Sequence, residues 1–293
     1  MVSVVVATFR RDQSLYNALE SLTTQTYKDF EVVVVDDNAD KEWNKKVESI
    51  VSFFASRLQI KYIQNQINLG SAKTRNVGIE ASKGEYITFL DDDDLYLPNK
   101  IKTQTEQIIK EKANYSLMNL SLYNEDDTLS EIRKRDYLLT EEGKDLLVCH
   151  LKYHMTGTDT MMFRKDYLVS FGCFESIDVG DEFYLMMKAI ENNGKFVYCE
   201  SCDVKAYVHT GENEGLSSGQ KKIDGENNLF NFKKKYLKNL KAKDKRYIKM
   251  RHYAVLSFAY KRSHKFCGFV FNGFKSFFSA PLQCLKLLKG IKG

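Results

Sequence analysis

Lys83-Gly-Glu-Tyr-Ile-Thr-Phe-Leu-Asp-Asp-Asp-Asp94 joins an aromatic and β-branched run to four consecutive carboxylates. The run 86–90 reads as a buried strand. Carboxylates crowded at its carboxyl end repel one another by ~4 kcal/mol per close pair at an effective dielectric of about 20. Such a cluster points to a cation in the gap. Hard divalent ions such as Mg²⁺ or Mn²⁺ take oxygen ligands and bridge a few carboxylates to substrate phosphates. A solvated acidic turn whose last Asp caps the next helix is the simpler alternative.

Working outward, residues 1–123 alternate short apolar strands with amphipathic helices. The near-continuous apolar run 2–7 suits a parallel sheet covered on both faces. Asp12 can cap a helix carrying Leu15, Ala18, Leu19 and Leu22 at helical spacing. A second strand over 30–35 ends at Asp36-Asp37, and a polar helix spans about 40–54. A strand over 60–63 and a helix over 71–81 come next. The strand 86–90 and a helix opened by Pro98 at its first turn complete the pattern. This alternation predicts a parallel α/β sheet with right-handed crossovers. Ligands of such sheets bind outside the carboxyl ends of the strands. Asp36-Asp37 and the aspartate quartet both lie at such ends, so the two acidic clusters are expected to face one crevice.

The segments 2–9 (Val-Ser-Val-Val-Val-Ala-Thr-Phe), 25–27 (Gln-Thr-Tyr), 30–38 (Phe-Glu-Val-Val-Val-Val-Asp-Asp-Asn), 68–70 (Asn-Leu-Gly), 75–79 (Arg-Asn-Val-Gly-Ile) and 83–94 follow one another in order. Together they resemble the family 2 glycosyltransferases, inverting enzymes that use nucleotide-sugar donors and have the GT-A fold. The match runs almost unbroken over the first 100 residues and recurs in patches to about 218.

The resemblance implies a role for each segment. Ala7, Thr8 and Phe9 hold the nucleobase, although the family usually has Tyr-Asn where this chain has Phe9-Arg10. Asp37 aligns with the acid that accepts a pyrimidine N–H, favouring a UDP or TDP donor over GDP, while a cap or turn role remains open for Asp36 and Asp37. Arg75 could pair with Asp37 or a phosphate. The Asp-X-Asp motif is met by Asp91 and Asp93, with Asp93 expected to ligate Mn²⁺ or Mg²⁺ directly. Asp91 or Asp92 would contact ribose or a metal-bound water. The general base falls on Asp181 or Glu182. The family order is Glu then Asp, reversed here, and counting back from Leu185 and Lys188 favours Glu182. Acids in a helix's first turn also suit its dipole without any chemistry. His209, at the end of the expected strand 204–208 and before a Gly/Ser-rich loop, could complete the metal shell, and the loop could close over the donor.

Charge divides the chain. Residues 1–220 hold 25 Lys+Arg and 36 Asp+Glu, net −11, and residues 221–293 hold 19 and 3, net +16. The expected organisation is a catalytic domain over 1–220, with a nucleotide-binding half 1–123 and an acceptor-binding half 124–220, followed by a basic helical extension 221–293. Helices are expected over 228–243 and 244–262, then an aromatic stretch from Phe266. Lys and Arg beside Phe and Leu suit an anionic membrane surface. Packing of those apolar faces on the α/β domain, with Lys in solvent, is the alternative. Uncharged runs here are too short to cross a bilayer.

No phosphate-cradling Gly-rich Lys loop and no Ser/His/Asp set is present, which disfavours P-loop nucleotidases and covalent catalysis. Nothing resembles a nucleic-acid recognition module, so no nucleic acid is expected. The six cysteines show no disulfide or zinc spacing, and no secretion signal opens the chain, so a cytoplasmic protein on the inner membrane face is expected. The predicted function is transfer of a sugar from a nucleoside-diphosphate sugar, with UDP favoured, to a glycan or lipid-linked glycan acceptor in surface polysaccharide synthesis. The alternatives are an inactive sugar-nucleotide- or membrane-binding module and a GT-A-like nucleotidyltransferase.

Overall fold

The computed structural model describes residues 1–177, 180–208 and 219–288. They form two compact units. One comprises residues 1–143, 155–177 and 181–208, and the other residues 144–154, 180 and 219–288.

The first unit begins with β1 (Val2–Thr8), α1 (Gln13–Thr23), β2 (Phe30–Asp36), α2 (Lys41–Phe54), β3 (Ile60–Gln64), α3 (Ser71–Ala81) and β4 (Tyr86–Phe89). Asp12 and Asp40 cap α1 and α2 through their side chains. After β5 (Leu95–Tyr96) comes α4 (Lys100–Glu111). Pro98 does not open this helix. It lies two residues ahead, where its carbonyl accepts from Thr26 N at 2.8 Å. The unit continues with β6 (Tyr115–Met118), β7 (Leu120–Asn124), β8 (Leu129–Arg133) and β9 (Met161–Arg164). It closes with α6 (Lys165–Ser170), α7 (Asp181–Glu191), β10 (Phe196–Cys199) and β11 (Val204–Val208).

The main sheet has seven strands in the order β10-β6-β9-β4-β1-β2-β3, parallel except for β9. Each valine of β1 and β2 is buried, the consequence of helices on both faces. A smaller sheet has the order β5-β11-β7-β8. Progress from β1 through β2 to β3 moves one way across the main sheet, and β4 lies on the other side of β1. The strand order therefore reverses between β1 and β4, and the crevice between their carboxyl ends is the natural ligand site. Thr8-Phe9 and the aspartate quartet end these two strands.

The second unit contains α5 (Leu146–Tyr153), α8 (Gly219–Leu237), α9 (Ala242–Arg262), α10 (Phe266–Ser279) and α11 (Pro281–Leu288). Its first long helix spans 219–237 rather than 228–243. Ile223 packs with Leu256 and Ala259 and draws the start of α8 forward, and single turns at Asn239 and Leu240 end it early. No helix among the described residues is long and apolar enough to cross a membrane.

Candidate active site

Two groups of carboxylates meet at the β1/β4 crevice. Asp91, Asp94 and Asp159 bring carboxylate oxygens within 4.8 Å of one another. Asp159 arrives on the turn before β9, and its Oδ1 accepts from Asp91 N at 2.6 Å. Asp94 accepts from Tyr207 N at 3.0 Å. Burial, together with the Asp91 charge, pushes Asp159 up to about 8. Burial and the charges of Asp159, Asp91 and Asp93 push Asp94 well up. Asp94 and Asp159, the two raised acids, thus favour their protonated forms unless a cation joins them.

Asp92 and Asp93 form the outer group. Burial and Asp93 raise Asp92 to about 7, against the pull of the Thr8 hydroxyl, the Phe9 N–H and Arg11. Phe9 N donates to Asp92 Oδ2 at 3.1 Å, and Arg11 Nη2 donates to Asp93 Oδ2 at 2.9 Å. Arg11 is a member of this site that sequence reasoning missed. Its only sequence signal is a second basic residue just after Phe9. Asp159 was missed as well, since an acid in the turn before an apolar run is common and the contact spans 68 residues.

Arg75 reaches from α3 into the same crevice. Nη2 donates to Asp91 Oδ1 at 2.6 Å and Nη1 to Asp181 Oδ2 at 3.1 Å, while its guanidinium lies 5.5 Å from the Phe174 ring. Burial opposes the charge on Arg75, but Asp91 and Asp181 outweigh it and hold the guanidinium firmly protonated. Its partners among the described residues are these two acids and not Asp37. The rigid planar guanidinium presents separate N–H donors to the two carboxylates at fixed spacing, whereas a lysine ammonium is a compact point charge on a flexible stem.

Asp37 is buried and its carboxylate accepts from Asn65 Nδ2 (2.8 Å), Leu69 N (2.8 Å) and Gly70 N (2.9 Å). It thereby shapes the turn into α3, where Gly70 has φ +78. A carboxylate has about four acceptor sites, and the described residues fill three of them. Asp36 accepts from Asn38 and from Tyr62 OH, a structural role. Ala7 ends β1 beside Thr8, and the exposed Phe9 ring lies beside the Arg10 guanidinium at 5.3 Å.

Asp181 and Glu182 open α7. Asp181 gives one oxygen to Arg75 and the other to Glu182 N at 2.9 Å. Glu182 Oε2 accepts from Gly157 N at 2.9 Å and Thr158 Oγ1 at 3.3 Å. Its Oε1 accepts no hydrogen bond from any described residue. Burial, then the Asp181 charge, raises Glu182 above its ordinary value of 4.5. Burial also raises Asp181, with Arg75 opposing. His209 lies outside the described residues.

Beneath the cluster, Lys100 is fully buried with its ammonium on Thr88 Oγ1 and 4.2 Å from the Tyr96 ring. Burial lowers it to about 7 despite the Asp159 charge.

A sequence profile of the family described as "Glycosyl transferase family 2" matches residues 3–171. An uncharacterized glycosyltransferase of Methanocaldococcus jannaschii is 28% identical over 218 residues, covering 73% of this chain and 72% of the relative. The Escherichia coli protein named UDP-Glc:alpha-D-GlcNAc-diphosphoundecaprenol beta-1,3-glucosyltransferase WfaP is 33% identical over 123 residues, covering 41% of this chain and 45% of its own. Against two further uncharacterized glycosyltransferases, of Haemophilus influenzae and Rickettsia bellii, the match spans only 37% and 14% of the relative. Among solved structures, S. aureus TarS in complex with UDP-GlcNAc superposes with a TM-score of 0.63 at 17% identity, over 94% of this chain and 91% of that one. The mannosyltransferase PcManGT of Pyrobaculum calidifontis, in complex with GDP-Man and Mn²⁺, gives 0.61 at 16% identity, over 99% and 78%. At that identity these structures establish a shared fold, and the expected GT-A architecture is the one found.

Proposed function

The chain belongs to glycosyl transferase family 2, and on that premise we propose that it moves a sugar from a UDP-sugar to a hydroxyl of a lipid-linked glycan, with inversion. The observation that carries this reading is the convergence of Arg75, Asp91, Asp181 and Glu182 at the one crevice where the strand order reverses. We divide the catalytic portion into a donor half, 1–123, and an acceptor half, 124–220, with 221–293 as a basic extension.

The donor half supplies the nucleotide site. Thr8 and Phe9 border the base, with Asp37's remaining acceptor site available to a pyrimidine N–H. Asp92 lies on the Phe9 amide, where ribose hydroxyls would meet it. The oxygen-only donor set fits a hard cation such as Mn²⁺ or Mg²⁺. Asp91 and Asp93 are the members accessible from solvent, so they are the proposed ligands, with Asp94 and Asp159 behind them adding negative charge. The cation, when bound, supplies positive charge against the leaving diphosphate.

The acceptor half supplies the base. Glu182 is fixed at Oε2 and open at Oε1, and burial raises its basicity, the state suited to a general base. Oε1 takes the proton of the acceptor hydroxyl as that oxygen bonds the anomeric carbon. The bond from that carbon to the diphosphate breaks, and UDP carries away the electron pair. Asp181 holds Arg75, and Arg75 holds Asp91, so base and donor site keep one spacing. The acceptor's lipid linkage is supported by the named substrate of the E. coli relative, and the basic extension supports a peripheral position at the inner membrane face.

The test is UDP release from a panel of UDP-sugars and GDP-mannose, with Mn²⁺ and a bacterial lipid extract as acceptor source. The expected outcome is release from UDP-sugars that needs both additions. Tight UDP-sugar binding without turnover under any condition would favour an inactive binding module instead.

A further inference from the structure

The last two helices of the second unit are packed inside out. In α10 the buried positions are Asn272 and Ser276, followed by Ala280 and, in α11, Cys284. This small and polar stripe faces α9. Ser276 Oγ donates to Met250 O at 2.9 Å, Ser257 Oγ to Phe269 O at 2.8 Å, and Asn272 Nδ2 to Gly268 O at 2.8 Å. At Gly268 an added Cβ would stand 2.5 Å from the Tyr260 ring, so only glycine allows this approach.

The opposite face is aromatic and bare. Phe266 is 73% exposed, Phe278 75% and Leu282 73%, with Phe271, Phe274 and Leu285 also open. A helix that covers an aqueous core does the reverse. Small residues inside and large apolar ones outside are the arrangement of helices whose outer neighbour is lipid. The alternative expected from sequence, apolar faces turned inward, does not hold for α10.

We propose that the outer face of α10 and α11 is the membrane-docking surface, lying in the headgroup boundary of an anionic bilayer with its Phe and Leu side chains among the acyl chains. This deepens the peripheral-membrane reading above and rests on it for the acceptor's location. Charge selects the occupant. Lys261, Arg262, Lys265, Lys275 and Lys286 surround the apolar side chains with no acid on either helix, and residues 221–293 carry net +16. A second copy of this chain would bring like charges together at every edge, whereas anionic headgroups neutralise them. At 14 residues α10 is about 21 Å long, short of the roughly 30 Å hydrocarbon core, so it lies on the membrane and does not cross it.

The experiment is co-sedimentation of the full chain with vesicles of phosphatidylglycerol and phosphatidylcholine, against phosphatidylcholine alone, without nucleotide or acceptor. Wild type is expected to pellet with the anionic vesicles and to be released by high salt. The triple variant F271D/F278D/L285D should bind at least about tenfold more weakly with an unchanged melting temperature, since the altered side chains make no core. Wild-type protein that stays in the supernatant, or a folded triple variant that pellets equally, overturns the proposal. So does a wild-type dimer that the variant converts to monomer without any vesicle binding. Because no donor is present, failure here is distinguishable from failure of the sugar-transfer reading, which UDP release measures separately.

Discussion

Glu182 and Asp181 are adjacent carboxylates with different surroundings, and the difference assigns their work. Asp181 has both oxygens committed, one to Arg75 and one to a backbone amide, whereas Glu182 keeps Oε1 open. A base must be ionised to accept a proton, and burial places the Glu182 value above 4.5. Activity should therefore fall as pH drops through that raised value, and recover as pH rises past it. Glu182→Gln should lower kcat by about 100- to 10,000-fold and flatten that acid limb. A pH–rate profile checks both, and an unchanged acid limb in the variant would move the base to Asp181. The reversed acid order left this choice open in the sequence, because residue type alone does not report which oxygen is already bonded. Arg11 and Asp159 were illegible for a related reason. Their importance comes from contacts with positions 68 to 82 residues away, and neither carries a local pattern.

At the scale of elements, the strands β1, β2 and β4 were legible because strands buried on both faces must be almost wholly apolar. Their acidic ends were legible because an apolar run stopping at aspartate is abrupt. Helix α3 carries the coupling between the two halves of the site. It docks closely on the sheet: a Cβ added at Gly78 would stand 2.4 Å from Val5 Cγ1 and 3.3 Å from Val35 Cγ2. Arg75, three residues earlier, reaches the strand ends only because the helix lies so near. Gly78→Ala should cost about 1–3 kcal/mol in a urea melt, through overpacking. It should also weaken Mn²⁺-dependent UDP binding by displacing Arg75. A variant with wild-type stability and binding would show that this close approach has no such role. The boundaries of α4 and α8 differ from the sequence expectation, the first because Pro98 sits in the turn ahead of the helix, bonded to Thr26 N. In the second case, Ile223 finds its partners on α9, which local sequence does not announce.

For the whole molecule, the net charge of +5 conceals an acidic portion, residues 1–220 at −11, and a basic portion, residues 221–293 at +16. The sequence displayed the sign of that division. It did not display that α10 turns its aromatic face outward, since a stripe of Phe and a stripe of small residues read equally well either way round. On the proposed reading, the acidic crevice is a metal-dependent nucleotide-sugar site. The most direct test is the thermal shift of the full chain with UDP, with and without Mn²⁺, in wild type, Asp93→Asn and Asp159→Asn. Ligand at 100 times its dissociation constant should stabilise wild type by about 2.7 kcal/mol. The expected UDP shift needs Mn²⁺, vanishes in Asp93→Asn and weakens in Asp159→Asn, with both variants folded. An equal UDP shift without Mn²⁺, or none with it, would rule out a metal-dependent nucleotide-sugar site in the crevice.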